Sequence, residues 1–145
     1  MAVANTNARF WLATGAILAG LTVGLGAFGA HGFEKMVSES VADPVKNLGY
    51  WETASRYQMY HCLGILAVGF ASAVFGSKKI YDVAASLFVV GILLFSGLLY
   101  ALALTDIKIL GAIVPLGGLS MIIGWALFAF GLISGGQNAT ENLDV

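Results

Sequence analysis

Charge is what this chain has least of: only 10% of its 145 residues are Asp, Glu, Lys or Arg, against roughly a quarter in an average soluble domain. The charged side chains leave four stretches clear, 10–33, 57–77, 83–105 and 109–140. Their absence there excludes the ionisable relay of a pump, the arginines of a voltage sensor and the carboxylate of a cation site, and so argues against a coupled transporter. Basic residues are few and single except for Lys78-Lys79, and the net charge is −1. No basic stripe exists to follow a phosphate backbone, so nucleic acid is excluded as a partner. Cys62 is the lone cysteine, so no disulfide forms within the chain, and its apolar surroundings read as core. A Gly-rich phosphate loop, a nucleophile elbow, a His-Glu-x-x-His motif and paired carboxylates are all missing, so no catalytic residue is assigned and an enzyme is disfavoured.

Hydrophobic residues make up 59% of the chain, and each uncharged stretch has the ~20 residues that a membrane-crossing helix needs. The short alternating segments of a membrane β-barrel are absent. The predicted fold class is therefore all-α, an integral membrane bundle of four transmembrane helices. It forms a single membrane domain with spans over about 10–31, 55–75, 81–104 and 109–134, a polar loop over 32–52 and a polar, mobile tail over 135–145. Arg9 and the apolar run behind it have the look of a signal peptide, but the run exceeds the ~7–15 residues of a signal core and reads as the first span.

Phe10, Trp11, Tyr50, Trp51 and Tyr57 fall where interfacial aromatic rings are expected. Asp43-Pro44 should break any helix in the long loop, with helix resuming near Leu48. Short connections at Gly76-Ser77-Lys78-Lys79 and Thr105-Asp106-Ile107-Lys108 force the second, third and fourth helices to be successive antiparallel neighbours. Ala16, Gly20, Gly24, Ala27 and His31 share one face of the first span. Because lipid supplies no hydrophobic drive for helix pairing, such a small-residue stripe marks close packing, either within the chain or across a homo-oligomer seam. Gly117, Gly124 and Gly131 recur every seven residues, with Ser120 between, and form a second packing face. Positive charges divide three against four between the two sides. The concentration of Lys78 and Lys79 in one short loop favours both termini in the cytoplasm.

Polar groups inside a span are costly and therefore the first functional candidates. His31 and His61 are the only histidines, and the loop between them returns the chain to the same membrane face. Gln58 lies three residues before His61, placed to pair amide with imidazole. Gln58 and His61 form a hydrogen-bonded structural pair, or the imidazoles contact a lipid or quinone headgroup, and two histidines on adjacent helices also match axial haem ligation. Zinc lacks its usual four-ligand set, so no metal site is assigned. Pro115 deletes a backbone bond, is expected to kink the fourth helix and frees the Gly111 carbonyl. Ser96 and Tyr100 sit at a matching depth on the third helix and are expected to bond that carbonyl or a ligand.

Four blocks, Gly26-Ala27-Phe28-Gly29-Ala30-His31-Gly32, Trp51 to His61, Phe95-Ser96-Gly97-Leu98-Leu99-Tyr100, and Pro115-Leu116-Gly117-Gly118 leading to Gly124-Trp125, together resemble the YgdD/YwdK-like small membrane proteins. That family is catalogued as domain of unknown function 423 and is related to eukaryotic transmembrane protein 256. The resemblance covers about 9–134 and places His31, Trp51, Tyr57, Gln58, His61, Ser96, Tyr100, Pro115 and Trp125 at motif positions. Leu98 and Val114 depart from it, where serine and threonine are usual, so those hydroxyls are dispensable here. The resemblance implies a small multi-helix protein of the bacterial inner membrane and no particular reaction. The expected role is a structural or accessory subunit that contacts the lipid bilayer and assembles with itself or a larger complex. The alternatives are a lipid, quinone or haem binder, or a small channel or permease.

Overall fold

The structure, a computed structural model, describes residues 6–33, 36 and 43–141, with side chains as far as Ser134. Four helices account for nearly all of it: α1 (Thr6–Phe33), α2 (Pro44–Phe75), α3 (Lys79–Thr105) and α4 (Ile109–Glu141). No strand occurs among the described residues. Each helix has a segment long and apolar enough to cross a bilayer, so the chain is an all-α, four-span membrane bundle as the charge pattern predicts.

Local chemistry explains the ends. Pro44 does not break a helix but begins one, four residues earlier than expected. Its restriction on the preceding residue keeps Asp43 non-helical, as an N-cap must be, and its missing N–H falls where no intrahelical partner exists. The Asp43 carboxylate accepts a bond from Lys46 N at 3.1 Å, a standard capping contact. Gly76 closes α2 with φ 83°, and Asp106 turns the chain after α3 with φ 52°, a left-handed conformation that aspartate tolerates better than most side chains. The polar loop expected over 32–52 is shortened from both sides by helix, and its residues 34–35 and 37–42 lie outside the described residues, as do 1–5. The tail expected from 135 begins later, because the α4 backbone stays helical to Glu141; residues 142–145 lie outside the described residues.

Packing follows chain order. α1 lies along α2, α2 along α3 and α3 along α4, while among the described residues α1 has no extended contact with α4. The main core holds Trp11, Cys62, Ile65, Val68, Tyr81, Phe88, Ile92, Met121 and Phe128. Trp11, expected at the interface, anchors α1 to α3 by donating its indole N–H to Asp82 Oδ1 at 2.7 Å. At the same end Lys78 Nζ and Tyr81 Oη both donate to the Gly131 carbonyl of α4.

The glycines divide sharply. A Cβ added to Gly117 would collide with the backbone of Leu94 and Phe95, one added to Gly124 would stand 2.8 Å from the Phe88 ring, and one at Gly131 would stand 2.8 Å from Ile80 and Tyr81. The α4 stripe is thus the α3–α4 contact, and Ser120 joins it by donating to Leu87 O at 2.8 Å. Gly20 and Gly24, by contrast, have nothing within 4 Å of such a Cβ. The whole stripe from Ala16 through His31 faces outward, which corrects its reading as an intrachain seam. Gly15 and Gly69 make that contact instead, against Leu66 and Leu12.

Candidate functional site: a groove at the His61–Trp125 pair

His61 lies within the charge-free stretch 57–77 of α2, about 7.5 Å along the helix from Arg56 at about 1.5 Å per residue, and so just inside the apolar part of the span. Both ring nitrogens are engaged. Nδ1 is 2.7 Å from the Tyr57 carbonyl one turn earlier, and Nε2 receives the indole N–H of Trp125 from α4 at 3.3 Å. A carbonyl only accepts and an indole N–H only donates. The two contacts together therefore assign one neutral tautomer, with the proton on Nδ1 and the lone pair on Nε2.

Aromatic rings surround the pair. Phe88 of α3 stands 5.5 Å from the imidazole and 4.9 Å from the Trp125 ring, centroid to centroid. Gly64 makes room for that approach, since a Cβ there would meet Phe88 and Trp125 at 3.2 Å. Phe95 closes another side, 4.8 Å from Tyr57. It comes from a π turn, Ile92–Gly97, within α3. Such turns rotate the residues that follow and occur often at functional sites. The result is a groove of about 450 Å³ lined by Tyr57, His61, Phe95, Gly118, Met121, Ile122 and Trp125. It opens laterally, with Tyr57 41%, Trp125 44% and Ile122 68% exposed.

The other expected site residues are placed differently. His31 is exposed, at the outer face of α1 within its terminal π turn Gly29–Phe33, and so does not share the surroundings of His61. Gln58 is buried, but the expected Gln58–His61 bond is not made, because Tyr57 O and Trp125 Nε1 occupy the imidazole. Ser96 Oγ and Tyr100 Oη are buried without a hydrogen-bond partner, so neither takes up the Gly111 carbonyl. The π turn changes the helical phase ahead of Tyr100, whose ring instead packs on Trp51, 4.6 Å between centroids. α4 continues as helix through Pro115. Among the described residues no three His, Cys, Asp or Glu side chains converge as a metal site would require.

Trp51 is buried, stacked on Phe33 at 4.5 Å and bonded through Nε1 to Leu25 O at 2.9 Å. Gly29 permits this, since a Cβ there would stand 2.5 Å from the indole. Asn47 likewise ties α2 to α3 by donating to Ala103 O at 3.0 Å. Sequence reasoning reached Tyr57 as an interfacial ring and Trp125 only through the family resemblance, and did not connect either with His61. One signal was available: Trp125 falls in mid-span, away from the interfacial belts where tryptophan concentrates, and an indole N–H there requires a partner.

Four spans, uncharged interiors and a lipid-opening groove define a small multi-pass integral membrane protein. The chain belongs to the family described as "Protein of unknown function (DUF423)", whose model matches residues 25–118. It is 46% identical to UPF0382 membrane protein SSP2132 of Staphylococcus saprophyticus over 85% of this chain and 96% of that protein. It is 45% identical to UPF0382 membrane protein YwdK of Bacillus subtilis over 82% and 92% respectively, and 47% identical to a UPF0382 membrane protein of Staphylococcus epidermidis over 81% and 89%. No solved structure matches the chain.

Proposed function

We propose that this protein is a non-enzymatic structural or accessory membrane subunit that self-associates, or joins a larger membrane complex, through the outer face of α1. One observation carries the reading: Ala16, Gly20, Gly24 and Ala27 form an exposed stripe whose glycines meet no other part of the chain among the described residues. By contrast, Gly64, Gly117, Gly124 and Gly131 each admit a neighbouring backbone or ring. A glycine face turned to lipid forgoes van der Waals contact on α1 unless another helix covers it, and a small-xxx-small step admits one at close range. Of the four spans, α1 is also the least buried within the chain.

Native mass spectrometry in mild detergent, with cross-linking in membranes, tests this. A dimer or higher complex that Gly20→Leu and Gly24→Leu dissociate supports the reading. A protein that runs as a monomer and yields no cross-linked partner overturns it. The same reading locates the protein in the bacterial inner membrane with both termini cytoplasmic, supported by Lys78, Lys79 and Arg9 on one side. A C-terminal reporter active only in the cytoplasm checks the orientation.

A further inference from the structure

We propose that the groove at His61 binds the ring of a lipid-soluble phenol or hydroquinone, whose hydroxyl inserts between the Trp125 indole and the imidazole. At the groove a donor, Trp125 Nε1–H, stands beside an acceptor, His61 Nε2, joined by a long bond of 3.3 Å. A hydroxyl satisfies both at a single oxygen, accepting from the indole and donating to the imidazole. A quinone carbonyl or an ether oxygen only accepts, and leaves Nε2 unpaired in an apolar medium, which is the costly outcome. The tautomer is set from behind by the Tyr57 carbonyl on Nδ1, so Nε2 is held as the acceptor. No charged residue lines the groove, which disfavours a carboxylate, phosphate or ammonium headgroup.

The walls suit a ring. Tyr57, Phe95 and Trp125 offer aromatic faces and Met121 a polarizable thioether, both favourable contacts for a planar guest. The volume, about 450 Å³, lies within the range of roughly 300–1,000 Å³ usual for small-molecule sites. Gly118 leaves the floor open, since a Cβ there would meet only the Phe95 ring, at 3.7 Å. The guest enters sideways from lipid past Ile122 and the edge of Trp125, which are exposed. The inference is independent of self-association through α1.

The test uses the full chain in nanodiscs and compares retention of 4-nonylphenol, its methyl ether and 4-methylphenol against empty nanodiscs. The expected result is saturable binding of 4-nonylphenol, tighter than the ether by about three- to tenfold, the worth of one net hydrogen bond, with 4-methylphenol held more weakly. His61→Phe should erase the difference between phenol and ether. Gly118→Leu should abolish saturable binding by filling the groove while leaving both partners of the His61–Trp125 bond in the chain, and so decides the matter even if the histidine variant does not fold. Equal retention of phenol and ether by the unaltered protein, no saturable component above empty discs, or undiminished binding by Gly118→Leu overturns the proposal. Equally tight 4-methylphenol overturns its lipid-soluble part and assigns the site to a phenol arriving from water.

Discussion

Gly117→Ala and Gly20→Ala make the same chemical change on two transmembrane helices, and the structure requires different outcomes. At Gly117 the new methyl would fall on the Leu94 carbonyl carbon at 2.7 Å and, closer still, on Phe95 N. These are backbone atoms of the π turn, which no rotamer change can move aside. Ordinary van der Waals contact between such atoms begins near 3.5 Å, so α3 and α4 must separate locally. That strains a seam that also holds the Ser120–Leu87 bond. Overpacking of this kind costs about 1–3 kcal/mol. At Gly20 the methyl meets nothing within 4 Å, and a substitution away from any contact stays within about 0.5 kcal/mol. Helix propensity contributes little to either value if the helices persist in the unfolded reference state, as they do when spans form before they associate. Reversible unfolding by sodium dodecyl sulfate in mixed micelles, at a dilution where the protein is monomeric, reads the two against wild type. A Gly117→Ala protein as stable as Gly20→Ala would refute the assignment of the α3–α4 seam to direct backbone contact at that glycine.

Three further outcomes follow from named contacts. In a double-mutant cycle, His61→Phe and Trp125→Phe should couple by about 0.6 kcal/mol, the average for hydrogen bonds between membrane helices, and by no more than about 1.7 kcal/mol; additive effects would remove the bond from the account. Asp82→Ala removes the acceptor shared by Trp11 and Asn7 and should cost about 1.5–3 kcal/mol, as for a hydrogen bond to a charged group, with the loss read in the same unfolding assay and in Trp11 fluorescence. Trp51→Phe keeps an aromatic ring between Phe33 and Tyr100 but loses the bond to Leu25 O. It should cost about 1 kcal/mol, whereas Trp51→Ala should cost about 3–5 kcal/mol through the cavity it leaves; near-equal losses would show that the bond and not the stack dominates.

What the sequence alone determined is the class of the protein and the path of its chain. Charge cannot be left in hydrocarbon, and a span needs a set length, so the gaps between charged residues located four helices. The short turns at Gly76 and Asp106 made α2, α3 and α4 successive antiparallel neighbours. Those constraints are local and survive without knowledge of any partner. The tertiary structure decided how each helix is rotated about its axis, which in lipid depends on packing because no polar exterior fixes an outer face. Rotation turned the Gly20–Gly24 stripe outward and the Gly117–Gly131 stripe inward, although both are small-residue stripes on one helix face. It also gave His61 to Trp125 in place of Gln58, and the π turn in α3 carried Tyr100 towards Trp51 and brought Phe95 to the groove. A π turn has no fixed sequence signature, and its change of helical phase acts on every residue beyond it.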